Sequence, residues 1–198
     1  GVIAAAAGAL GGYQGSATYL YQDQQHSAEV AVEYAVFPPG AYGSLGTDPS
    51  FGVEYVYAYQ AFNDAASTVA VSWLEVNIHQ EHDVSFVGHE DPAAFPGVAP
   101  DVSGLGVSSV RWIFGCGMPP VGEEIQPGSQ STVLLFTSPF APGWCGAAVA
   151  NGGLPALVGQ LPAPVPEPTV LTLLLLSALA CLRRAHGWIR REPEPRAP

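Results

Sequence analysis

Residues 29–36 read Glu29-Val30-Ala31-Val32-Glu33-Tyr34-Ala35-Val36. The even positions are large and apolar and the odd ones are Ala or Glu, a period of two that suits a pleated strand and no helix. The pattern predicts a strand with one buried and one wet face. Six further runs rich in Val, Tyr, Phe and Thr share this character, at residues 16–21, 53–62, 68–78, 84–87, 107–114 and 132–137. Turn chemistry separates them: Pro38-Pro39-Gly40, Asn63-Asp64, Asp91-Pro92, Pro119-Pro120 and Pro127-Gly128. No comparable stretch has a 3.6-residue period, so nothing offers the helical crossover that parallel strands need. Seven strands joined by loops predict an all-β domain, an antiparallel β-sandwich of jelly-roll or immunoglobulin-like type.

The ectodomain is expected at residues 13–147, enough chain for one core. Residues 37–50 and 88–106 are dense in Gly, Pro and Asp and would form loops at the ends of the sandwich, where binding sites are often built. Residues 148–164 carry no charge and many Gly and Pro, and read as a stalk. At the other end, residues 1–12 run Val2-Ile3-Ala4-Ala5-Ala6-Ala7-Gly8-Ala9-Leu10 through small side chains, as the remnant of a secretory signal peptide would. A plain Ala-rich helix is the alternative.

Past the stalk the chemistry changes. Val165-Pro166-Glu167-Pro168 is followed by the uncharged, Leu-rich residues 169–182 and then by Arg183-Arg184. The two prolines hold Val165 and Glu167 extended and remove two amide donors, which leaves an open peptide of the kind a protease or transpeptidase groove accepts. The apolar run has no Gly or Pro and should be helical in lipid. Its fourteen residues rise only about 21 Å, short of the ~30 Å hydrocarbon core. Such a short helix suits transient insertion better than permanent anchoring.

Charge supports the same topology. Residues 1–168 hold one Arg, Arg111, against fifteen Asp and Glu, a net of −14. Residues 183–198 hold five Arg against Glu192 and Glu194, a net of +3. The positive-inside rule places residues 185–198 in the cytoplasm as a basic tail and the acidic body across the membrane. A body so acidic is repelled by phosphate, which argues against a nucleic-acid partner.

Together, Val165-Pro166-Glu167-Pro168, the Leu-rich span and Arg183-Arg184 resemble the PEP-CTERM sorting signal of exported Gram-negative proteins, over residues 165–184. The tail beyond Arg184 is longer than the family's pattern. A second Pro193-Glu194-Pro195 lies on the wrong side of the span. The resemblance implies that the chain is the substrate of an exosortase-type membrane enzyme. It implies passage through the inner membrane, then residence at the cell surface or in an extracellular matrix, linked to exopolysaccharide or biofilm.

Cys116 and Cys145 are the two cysteines of the body, and an oxidising compartment favours a disulfide between them, closing about 30 residues for about 3 kcal/mol in the chain-entropy model. Two buried thiols are the competing reading. Cys181 sits in the apolar run as a small apolar residue.

Catalytic chemistry is sparse. His79-Gln80-Glu81-His82-Asp83 and His89-Glu90-Asp91 are the densest group of potential ligands, yet they lack the H-E-x-x-H spacing, and on a strand His79 and His82 point to opposite faces. They read as a solvated acidic loop. No nucleophile elbow, phosphate loop or calcium loop is present, so no cofactor, metal or enzymatic activity is expected. Tyr55, Tyr57 and Tyr59 alternate on one strand, and with Trp73 and Trp112 would make a sugar-stacking platform if exposed; a half-buried core strand is the plainer reading. The sequence therefore points to a non-enzymatic exported surface or matrix protein, with a carbohydrate-binding module on the same scaffold as the alternative.

Overall fold

Ten strands make up the described part of the computed structural model, residues 3–116, 123–151 and 155–166. They are β1 (Gln14–Gln22), β2 (Ser27–Phe37), β3 (Tyr55–Asn63), β4 (Val71–Asn77), β5 (Phe86–His89), β6 (Val102–Leu105), β7 (Ser109–Ile113), β8 (Leu134–Ser138), β9 (Pro142–Asn151) and β10 (Leu157–Pro164). Among the described residues the only helical pieces are single 3-10 turns at Tyr42–Ser44 and Glu81–Asp83. The strands form two five-stranded sheets, in the orders β1-β2-β3-β8-β5 and β10-β9-β4-β7-β6. Every strand pair is antiparallel. The chain divides into two units, Gly1–Val165 and Pro166–Pro198, and both sheets lie in the first.

One apolar cluster draws on both sheets. Val30, Val32, Tyr57, Tyr59, Leu134 and Phe136 enter it from the first, and Leu74, Val76, Val110, Trp112, Val149 and Leu161 from the second. The aromatic rings interlock, with Tyr57 stacked on Phe136 at 4.7 Å and Tyr59 tilted on Trp112 at 5.8 Å between centroids. Their polar ends are satisfied at the rims. The Trp112 indole N–H donates to the Gly88 carbonyl at 2.8 Å, the Tyr57 hydroxyl to the Phe140 carbonyl at 2.8 Å, and the Tyr59 hydroxyl to the Pro162 carbonyl. Burial pushes the Tyr59 phenol well above its ordinary pKa, so it stays a donor.

The alternation in β2 is realised on its even face, where Val30, Val32 and Val36 are buried in this cluster. The other face departs from the expected wet surface. Ala35 and Phe37, with Val56 and Ala58 of β3 and Val133 and Leu135 at β8, form a second buried cluster on the back of the first sheet. Ile3, Ala6 and Tyr42 close it, with Tyr42 edge-on to Phe37 at 5.2 Å. The odd positions of β2 become large and apolar only at Phe37, one residue past the run at residues 29–36.

Three corrections follow. Residues 3–12 form turns packed on the domain, not the Ala-rich helix weighed as the alternative. Ile3 is fully buried, the Ala4 N–H donates to Glu33 Oε2 at 3.2 Å, and Gln14 Nε2 donates to the carbonyls of Ile3 and Ala6. The expected stalk at residues 148–164 contains the end of β9 and all of β10, which pair from Leu157↔Val149 to Pro164↔Pro142. Its prolines fit because β10 is an edge strand, where a missing amide costs no ladder bond. The loop assigned to residues 88–106 likewise ends in a strand, β6, only four residues long.

Candidate functional site

The expected sorting motif begins where the last described strand ends. β10 closes at Pro164, and the next amide, that of Val165, donates to the Ala141 carbonyl at 3.1 Å. Val165 packs over Gly143 and is about one-third exposed. Glu167, Pro168, the apolar residues 169–182, Arg183 and Arg184 lie outside the described residues. Among the described residues no helix is long and apolar enough to cross a membrane.

Cys116 and Cys145 are free thiols, which corrects the expected disulfide. The reason is register. β7 and β9 both pair with β4, and Ile113 and Ala150 both stand opposite Trp73. Cys145 is five residues from that level in one direction, about 16 Å along the strand, and Cys116 lies beyond the end of β7 in the other. Disulfide geometry requires Cα atoms within about 7 Å. Cys145 is half-buried against the core, and desolvation raises its thiol pKa.

The tyrosine platform does not exist. Tyr57 and Tyr59 are fully buried, Trp112 is fully buried, and Tyr55 packs on the same core. All three tyrosines share one face, as the alternation required, and it is the inner face. This removes the observation behind the carbohydrate-binding alternative as the sequence framed it.

The histidine and acidic group is dispersed. His79 and His89 are exposed, Asp83 is buried and accepts the Gln80 N–H at 2.9 Å, and Asp91 accepts the Ala93 N–H. Glu90 instead turns to the second cluster, where its Oε1 accepts the hydroxyl of fully buried Tyr42 at 2.6 Å. That burial, reinforced by the Glu90 bond and then the nearby carboxylates, pushes the Tyr42 phenol far above its usual range. Among the described residues no three His, Cys, Asp or Glu side chains converge as metal ligands.

Sequence reasoning passed over the outer face of the second sheet. Trp73, Glu75 and Asn77 alternate on β4 away from fully buried Leu74 and Val76. Across from them on β7 stand Ile113, Arg111 and Ser109. Arg111 donates through Nε (3.0 Å) and Nη2 (2.5 Å) to Glu75 Oε2, and its guanidinium lies 5.1 Å from the centre of the Trp73 ring. Beside it a shallow hollow of about 280 Å³ opens over Gly104 and Gly106, walled by Val102, Leu105, Ile113, Ser109 and Arg111. A similar hollow of about 270 Å³ lies at the turn end of the β1–β2 hairpin, against Ala66 and Ser67. The signal for the first was available: Arg111 is the one cation before the tag, on a strand whose neighbours alternate Trp and Glu.

No family model, curated protein or solved structure matches the chain.

Proposed function

We propose that this chain is a non-enzymatic exported surface or matrix protein, delivered through a PEP-CTERM and exosortase-type system. The observation that carries the reading is continuity: among the described residues the last to pair in a strand is Pro164, and the proposed sorting motif starts at Val165. Nothing intervenes between cargo and tag, so a cut within or after Pro166-Glu167-Pro168 would release the domain with β10 intact. Charge is a second support, since five of the six Arg residues follow the apolar run. The inner membrane and an exosortase are then the partners, and the extracellular matrix the destination.

The scaffold is best read as a β-sandwich of jelly-roll type. β3 pairs with β8 and β4 with β7, while β5 lies beside β6 and β1 beside β10. This nested order is that of one long hairpin rolled up, which is how a jelly roll is built. Such a domain presents stable faces and needs no active site to serve as a matrix component.

Grafting tests the tag apart from the domain. A neutral exported carrier bearing residues 165–184 should be trimmed and released in a host with an exosortase, and the same carrier with Glu167→Ala and Pro168→Ala should stay membrane-bound. Equal release of both would refute the assignment of the motif.

A further inference from the structure

We propose that the outer face of the second sheet around Arg111 is a binding site for a neutral saccharide chain. The argument does not depend on the sorting tag, nor on the buried tyrosines.

The pair Arg111 and Glu75 is half used. Both guanidinium bonds go to Glu75 Oε2, so among the described residues Glu75 Oε1 and Arg111 Nη1 make no hydrogen bond. The Arg111 side chain is 47% exposed and that of Glu75 16%, so both groups reach solvent from a fixed position. Trp73 stacks against the guanidinium and holds it there. An acceptor and a donor fixed side by side match two adjacent hydroxyls: one donates to the carboxylate and the other accepts from the guanidinium.

The surroundings select the rest of the ligand. Next to the polar pair, Val102, Ile113 and Leu105 wall a hollow whose floor is Gly104 and Gly106. A ring with an apolar C–H face and a hydroxylated rim fills such a hollow, burying its face on the aliphatic wall while its rim meets Arg111, Glu75 and Ser109. On the β9 side the neighbours are Ala148, opposite Glu75, and Gly146, over which the exposed Asn77 amide lies. No bulky side chain blocks the path of a longer chain along β4 there, and Asn77 adds a second hydrogen-bonding group.

Charge excludes the competitors. The one cation is compensated by its own carboxylate, and the body around it carries fourteen acids before residue 165, so an anionic polymer is repelled. An extended peptide would instead add to the free edge of β6, which uses backbone groups and leaves Arg111 and Glu75 idle.

Titration calorimetry on the full chain, held in a detergent without a sugar head group, tests the site with cellohexaose, mannohexaose, maltohexaose and hexagalacturonate. At least one neutral hexaose should bind saturably at millimolar concentration or below, and hexagalacturonate should not. Arg111→Gln and Gly104→Phe should each weaken that binding about tenfold or more. A Cβ at Gly104 meets no atom within 4 Å and opens onto the hollow, so Gly104→Phe is the substitution that fills it, and an unchanged thermal midpoint verifies that the fold is kept. Absence of binding by all three neutral hexaoses overturns the proposal. So does binding that both substitutions leave intact, or preferred binding of hexagalacturonate. Capture of a Val-Thr repeat peptide, unaffected by Gly104→Phe and unaccompanied by hexaose binding, would assign the region to the β6 edge instead.

Discussion

Replacing Ile3 with Ala should destabilise the domain as a core substitution does, although Ile3 stands third in the sequence. Its side chain is fully buried between Phe37, Tyr42 and the back of the first sheet. The change removes three carbons, about 2.4 kcal/mol at about 0.8 kcal/mol for each. Incomplete collapse of the cavity adds to this, for a total of about 2.5–4 kcal/mol. In a unit of this size that lowers the thermal midpoint by about 6–12 °C. Urea unfolding followed by tryptophan fluorescence is the assay, and the midpoint should fall while the slope stays constant. Val158→Ala, at an 80% exposed site, serves as the control and should stay within about 0.5 kcal/mol of the parent. If Ile3→Ala also stayed within about 0.5 kcal/mol, residues 3–12 would not seal the second cluster, and the account of that face would be wrong.

Tyr42→Phe should cost about 1–3 kcal/mol, because it leaves Glu90 Oε1 without its 2.6 Å donor beside a buried ring; the same urea assay reads it. Asp23 caps the β1–β2 turn: its carboxylate accepts the Gln25 N–H at 2.7 Å, the Tyr21 hydroxyl at 2.8 Å and the His26 N–H at 2.6 Å, which hold its pKa well below the usual range. A depressed folded-state pKa means stability that is fully present above the ordinary carboxylate value, near ~4, and drains as pH falls below it. The difference in urea midpoint between the parent and Asp23→Ala should therefore be largest near neutrality and shrink in strong acid; a difference that grows in acid contradicts the assignment. Alkylation in denaturant without reductant should label both Cys116 and Cys145, whereas a cross-linked Cys116–Cys145 peptide in the digest would contradict the register.

Much of the fold was legible because period two is a strong signal wherever one face meets the core. Each of the seven expected runs contains or overlaps a strand, and Val30, Val32, Tyr57 and Tyr59 point inward as their spacing demands. The strands that escaped notice lacked that contrast. β9 reads Pro-Gly-Trp-Cys-Gly-Ala-Ala-Val-Ala-Asn, with small residues on both faces, and β10 carries Pro162 and Pro164, which composition alone assigns to a linker. Their edge position and packing decide the matter, and neither is written locally. The packing of the N-terminal segment was not legible for a related reason: an apolar, Ala-rich stretch looks the same whether it enters a membrane or covers a sheet. Burial of Ile3 depends on Phe37 and Val56, far along the chain. The expected disulfide failed because parity of cysteine number carries no register information. As for the outer face, Arg111 stood out by its charge, but its pairing with Glu75 and Trp73 requires knowing that β4 and β7 are neighbours.

The central claim is that residues 165–184 deliver this domain and are then cut from it. Intact mass of the protein, purified from hosts with and without an exosortase, tests it most directly. The account predicts a species that retains β10 through Pro164 and lacks the apolar run and the Arg-rich tail only where the enzyme is present, recovered outside the inner membrane. A full-length chain held in the inner membrane of both hosts would contradict it and leave residues 169–182 as a plain anchor.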